Sequence, residues 1–210
     1  FTGEAAAPTG IVGLYVWTDA NDPERYQAQI AQAGLGLPDE SFYREEQYRA
    51  IREAYVDYLA TLADLAKLPG RAGLPEGDAR ALAETVMDLE TRIAKEHVDV
   101  VRRRDSEKSN NPMSVADRAD AFPSFDWDAY FEGAGAKAEW VETININEPE
   151  YTAAISKLWG SESLENLRAW LALHAIDAAA PYLSDEFVDA HFSFHGTVLS
   201  GTTQIRDRWK

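Results

Sequence analysis

Two apolar stripes separated by a helix-breaking loop set the tightest limit on what this chain can fold into. Ile51, Tyr55, Tyr58, Leu62 and Leu65 recur at spacings of 4, 3, 4 and 3, which lines them up on one face of a helix several turns long. Leu82, Val86, Leu89, Ile93, His97 and Val100 repeat the pattern. Between them, Pro69-Gly70-Arg71-Ala72-Gly73-Leu74-Pro75-Glu76-Gly77 holds too many breakers for one helix to run through. The spacing therefore predicts two long helices packed antiparallel across a short loop. The first starts near Pro38-Asp39 under Asp39 or Ser41, and the second runs from Asp78 to about Lys108.

The remainder reads as shorter pieces. Ile11-Val12-Gly13-Leu14-Tyr15-Val16-Trp17-Thr18 is one short strand, ended by the turn former Asp19-Ala20-Asn21-Asp22-Pro23. Asn110-Asn111-Pro112 stops the second helix, Ser114-Val115-Ala116-Asp117 is a capping box, and Pro123-Ser124-Phe125-Asp126-Trp127 opens another helix. A second short strand falls on Trp140-Val141-Glu142-Thr143-Ile144, and helices follow over 149–159, 163–180 and 184–194. The expected fold is mainly α: a multi-helix domain with long antiparallel helices and at most two minor short strands. No strong internal boundary is visible, and 112–135 is the place for a subdomain hinge.

Composition narrows function. Thirty-six acidic against 20 basic side chains leave a net charge of −16, which repels a phosphate backbone and an anionic bilayer, so neither nucleic acid nor membrane is expected as a partner. No apolar run approaches the ~20 residues of a membrane helix. The absence of cysteine removes disulfides, thiolate metal sites and a thiol nucleophile. The chain opens on Phe1-Thr2-Gly3-Glu4-Ala5-Ala6-Ala7-Pro8-Thr9-Gly10, which has no signal-peptide pattern, and stops on Arg206-Asp207-Arg208-Trp209-Lys210. Both ends read as cuts within something longer.

Few residues carry chemistry. His191-Phe192-Ser193-Phe194-His195 puts two imidazoles at i and i+4, but Phe192 stands where the zincin motif H-E-x-x-H has its glutamate, and no third ligand stands nearby in sequence. The pair is therefore assigned no metal. His97 and His174 fall on apolar helix faces as core or boundary residues. Arg102-Arg103-Arg104-Asp105-Ser106-Glu107-Lys108 complements a helix C-terminus, with an anion or carboxylate anchor as its functional alternative. Gly34-Leu35-Gly36 lacks the third glycine of a dinucleotide loop, Asp126 and Asp128 are unremarkable in so acidic a chain, and Trp127, Trp140, Trp159, Trp170 and Trp209 read as core. No catalytic, cofactor-binding or metal-ligating residue is assigned.

Several strings nevertheless resemble one family. Gln32-Ala33-Gly34-Leu35-Gly36-Leu37-Pro38-Asp39-Glu40-Ser41-Phe42-Tyr43, Leu89-Glu90-Thr91-Arg92-Ile93-Ala94 and Arg104-Asp105-Ser106-Glu107-Lys108-Ser109-Asn110-Asn111-Pro112-Met113-Ser114 resemble blocks of the neprilysin and endothelin-converting-enzyme zinc metallopeptidases. Phe125-Asp126-Trp127-Asp128-Ala129-Tyr130, Pro149-Glu150-Tyr151, Tyr182-Leu183-Ser184, Phe192-Ser193-Phe194, Leu199-Ser200-Gly201 and Arg208-Trp209-Lys210 continue the series in family order, covering about 26–210. One departure is Asn110, where the family has Tyr.

The resemblance implies the amino-terminal, non-catalytic helical domain of a peptidase, packed over a catalytic domain of the same parent chain and restricting access to an enclosed cavity. It implies zinc in the parent, with ligands outside these residues, peptide substrates, and an inactive fragment. The family's animal members are disulfide-rich, so the missing cysteines imply a bacterial relative, with cytoplasm and export both open. The acidic surface suggests a preference for cationic peptides. The competing reading is a free-standing helical binding or scaffold module.

Overall fold

A computed structural model of the chain describes residues 10–103, 105 and 107–204. Residues 1–9, Arg104, Ser106 and 205–210 lie outside the described residues, as do the side chains of Val100 and Val101, so the readings made there have no structural counterpart. In chain order the elements are β1 (Val12–Asp19), β2 (Asp22–Gln32), α1 (Ser41–Arg44), α2 (Arg49–Leu65), α3 (Ala79–Glu96), α4 (Val100–Arg103), β3 (Pro112–Ser114), α5 (Val115–Ala121), α6 (Trp127–Gly133), β4 (Thr143–Ile146), α7 (Pro149–Ser161), α8 (Leu164–Ala179) and α9 (Asp185–His191). The last helix continues as a π-helical segment, Phe192–Leu199.

The expectation of a mainly α fold with at most two minor strands is wrong. Four strands form one mixed sheet in the order β1-β2-β4-β3, with β2 and β4 parallel and the other pairs antiparallel, so the fold is mixed α/β. The miss has a physical cause. The β2 string Asp-Pro-Glu-Arg-Tyr-Gln-Ala-Gln is rich in residues with weak strand preference, and 23–26 are exposed, so no alternation shows. Its strand state is imposed by pairing with β1, residue for residue from Val12↔Gln32 to Thr18↔Tyr26. The expected turn at 19–23 is real but tighter: Asp19 pairs with Asp22, and Asp19 Oδ1 accepts from the Asn21 N–H at 2.8 Å. The strand expected at 140–144 lies at Thr143–Ile146, because Ala138–Trp140 forms a 3-10 turn.

The chain divides into two compact units. In the first, built from 35–94 and 163 onward, α2 and α3 carry the two predicted stripes: Tyr55, Tyr58, Leu62, Leu82, Val86, Leu89 and Ile93 are all buried. Asp78 caps α3 as expected, accepting from the Ala81 N–H at 2.9 Å. Two bounds differ. The first long helix begins only at Arg49, after α1 and a 3-10 turn, and α3 ends at Glu96 rather than near Lys108. In the second unit, 10–34 with 95–162, Ile30, Ile144 and Ile146 lie at the buried end of the sheet with Tyr151, Ile155 and Phe122. There Ser114 and Asp117 close the predicted capping box.

Candidate functional site

The histidine pair singled out in the sequence lies at the junction of α9 and the π-helical segment. His191 ends the regular helix and His195 sits four residues on, with ring centroids 4.3 Å apart and planes 27° from parallel. The wider π turn is a rare conformation that concentrates at functional positions. Gly196 makes it feasible here, since a Cβ at that position would lie 2.5 Å from the Phe192 ring.

The third group comes from α8. Asp177 Oδ1 lies 3.0 Å from His195 Nε2 and accepts from the Tyr58 hydroxyl at 2.5 Å. One ligand atom each from Asp177, His191 and His195 falls within 4.8 Å of the other two. Tyr58 stacks on Phe194 at 5.0 Å and meets His195 edge-on, so an aromatic wall backs the cluster. Burial alone raises the Asp177 carboxyl, but hydrogen bonds from His195 and Tyr58 and the two imidazoles overcome it and hold it below the usual range. Burial, with His195 adding to it, pushes His191 below its ordinary value, although Asp177 opposes the shift. At neutral pH the site thus offers a carboxylate and a neutral imidazole.

Sequence reasoning missed Asp177, which is 14 positions from His191. A signal existed: it is the only charged residue between Arg168 and Asp185, at the end of the otherwise apolar run Ala169-Trp170-Leu171-Ala172-Leu173-His174-Ala175-Ile176.

The same unit contains a second carboxylate–histidine pair. Glu90 is fully buried on α3, and its Oε1 is 2.7 Å from His174 Nε2 and accepts from Tyr55 at 2.9 Å. Oε2 accepts from the Tyr43 hydroxyl and from the Gly36 N–H at 3.2 Å, while the Tyr43 oxygen takes the Leu37 N–H at 3.0 Å. Burial and the Glu90 charge hold the Tyr43 and Tyr55 phenols well above their ordinary value of 10.0, so both remain donors. His174 is the core histidine the sequence predicted. His97, in the second unit, lies just past the end of α3 rather than on a helix face, and is a half-buried boundary residue with Nε2 3.0 Å from the Ala33 carbonyl.

The described cations of the basic string are paired within their own unit. Arg102 pairs with Glu150 at 2.8 Å, Arg103 lies 3.6 Å from Glu148, and Lys108 pairs with Asp105 at 3.0 Å around an open cavity of about 390 Å³. That favours the structural reading over an anion anchor. Asn110, the departure from the family pattern, exchanges side-chain hydrogen bonds with Asn21 at the hairpin turn, 3.3 and 3.1 Å. Trp127 and Trp170 are core as expected, but Trp140 is 57% exposed with Lys137 over its ring at 4.9 Å, and Trp159 is 36% exposed.

Comparison with known proteins places this architecture. The amino-terminal model of peptidase family M13 matches residues 2–210. Endothelin-converting enzyme 1 of Cavia porcellus is 24% identical over 200 residues, covering 94% of this chain and 26% of the relative. Neprilysin-11 of Caenorhabditis elegans is 25% identical over 206 residues, covering 94% and 24%. The zinc metalloprotease Zmp1 of Mycobacterium tuberculosis in its open state superposes with a TM-score of 0.88 at 33% identity, over 97% of this chain and 31% of that one. PepO of Lactobacillus rhamnosis, at 22% identity and a TM-score of 0.70, shares the fold. The chain spans about a quarter of the length of these curated relatives and about three-tenths of the solved structures. It belongs to peptidase family M13, whose amino-terminal model it matches over nearly its whole length.

Proposed function

We propose that this chain is the non-catalytic cover of a zinc metalloendopeptidase, enclosing the cavity in which the rest of the parent cleaves small peptides. The observation that carries the reading is the family match across 2–210 in a sequence that contains no H-E-x-x-H string. The catalytic zinc and its ligands then belong to other parts of the parent, and these residues exclude folded proteins by size. Any flexing within the cover is assigned to 112–135, which is built of the short elements β3, α5 and α6.

The test compares the whole parent with the 210-residue chain. The parent is expected to hydrolyse a short peptide in a chelator-sensitive way and to spare the same sequence embedded in a folded protein, while the chain alone cleaves neither substrate. Hydrolysis by the chain alone, or equal cleavage of both substrates by the parent, would sink the reading. The surface charge adds a finer expectation: cationic peptides are cleaved faster than anionic ones at low salt, and the gap closes as salt screens it. Equal rates at low salt would end that part.

A further inference from the structure

We propose that Asp177, His191 and His195 form a binding site for a divalent transition-metal ion of the zinc type, held by one carboxylate and two imidazoles. Packing explains part of the cluster but not all of it. His195 has a partner in Asp177, and Tyr58 anchors the same carboxylate oxygen, Oδ1. The other oxygen, Oδ2, accepts no hydrogen bond among the described residues. Neither ring nitrogen of His191 has a hydrogen-bond partner among the described residues, although the ring is half-buried and stacked on His195. A metal ion uses both of these groups.

The geometry is close to what such an ion needs. Bonds of about 2.0–2.1 Å to nitrogen and oxygen put the ligand atoms of a tetrahedral site roughly 3.3 Å apart. The three ligand atoms, one from each residue, already lie within 4.8 Å of one another. Small side-chain rotations close the remainder, and partial exposure, 27% for the His195 side chain and 21% for Asp177, gives the ion a path in and leaves a position for water. Two imidazoles and one carboxylate suit zinc and its neighbours rather than calcium or magnesium, which take oxygen shells. Tyr58 supplies the outer-shell hydrogen bond that orients the carboxylate. Bound there, the ion fixes the end of α8 to the junction of α9 with the π-helical segment.

The test is carried out on the longest natural chain that contains this sequence, stripped of metal and titrated with zinc sulfate. Carbethoxylation of His191 and His195 is followed by peptide mass mapping, with His97 and His174 as internal references. Zinc at ten times its dissociation constant for this site is expected to slow modification of both histidines about tenfold and to leave the references unchanged. Asp177→Asn is expected to abolish that protection even though any other zinc site in the protein still fills. Cobalt substitution gives an independent reading, with visible absorption from one more bound ion in the unmodified protein than in D177N. Unprotected histidines in the unmodified protein, or protection that persists in D177N, would overturn the site. If D177N fails to fold, the footprint of the unmodified protein together with that of His191→Asn decides the matter in the same way.

Discussion

Glu90–His174 and Asp177–His195 are the same pair of functional groups at nearly the same separation, 2.7 and 3.0 Å, yet their surroundings give them opposite roles. Glu90 is wholly buried, and the two tyrosines, one histidine and one backbone amide around it leave no place for a further partner. That carboxylate ties the loop before α1 to α1, α2, α3 and α8. Asp177 receives both of its contacts on one oxygen and stands partly in solvent beside a second imidazole. What separates a structural carboxylate from a ligand-ready one here is how fully its oxygens are used, not the residue type or its histidine partner.

The sharpest way to break that comparison is to remove each carboxylate in turn. Glu90→Ala leaves two phenols, an imidazole and an amide without an acceptor in the core, and is expected to cost about 4 kcal/mol of unfolding free energy. Glu90→Gln keeps the shape and one acceptor and should cost about half of that. Urea unfolding of each variant measures both, and a loss for Glu90→Ala no larger than that of a surface substitution would remove the structural role. Gly36→Ala attacks the same network from its backbone side. A Cβ there would stand 1.9 Å from the Tyr55 hydroxyl, so the ring must leave Glu90, at an expected cost of about 3 kcal/mol.

The half-exposed pair should respond weakly to the same test. Asp177→Asn retains an acceptor for Tyr58 and loses only a partly solvated hydrogen bond between a carboxylate and His195, so about 1 kcal/mol is expected in metal-free buffer. A loss matching that of Glu90→Ala would mean that Asp177 is as structural as Glu90. Under zinc the comparison should sharpen further, because ligand binding raises the stability of the unmodified protein and not that of the variant.

These contrasts also show what a sequence can and cannot carry. The stripes of α2 and α3, the Asp78 cap and the Ser114–Asp117 capping box were legible because each depends on neighbours within a turn or two. The sheet was not, because β2 acquires its strand state from β1 and β4 rather than from its own Gln, Glu and Ala residues. The early end of α3 at Glu96 was equally hidden, since its apolar period continues past the point where the helix stops. The candidate site was half legible. Four-residue spacing announced His191 and His195, but Asp177 reaches them only because α8 and α9 fold back on each other. Tyr58, which reads as one more apolar stripe position on α2, turns out to hold that carboxylate.

Glu148, in the second unit, is the intermediate case. It is nearly as buried as Glu90, at 7% exposure, but among the described residues its oxygens take only the Gln32 N–H at 2.9 Å and the more distant Arg103 at 3.6 Å. Burial raises its carboxyl above the ordinary value of 4.5, and those two partners offset the rise only in part. The sign follows from that direction. A carboxyl that holds its proton more tightly folded than unfolded favours the folded state at low pH, and this contribution is lost as pH rises from about 4.5 through the folded value. Glu148→Gln still accepts from Gln32 but cannot ionise, so it keeps that contribution at every pH. The variant is therefore expected to gain on the unmodified protein as pH rises from 4.5 to neutrality, by the smallest margin of the series. The difference between their unfolding midpoints as a function of pH measures this, and a flat difference, or one that moves against the variant, would mean that Glu148 is as well served as Glu90.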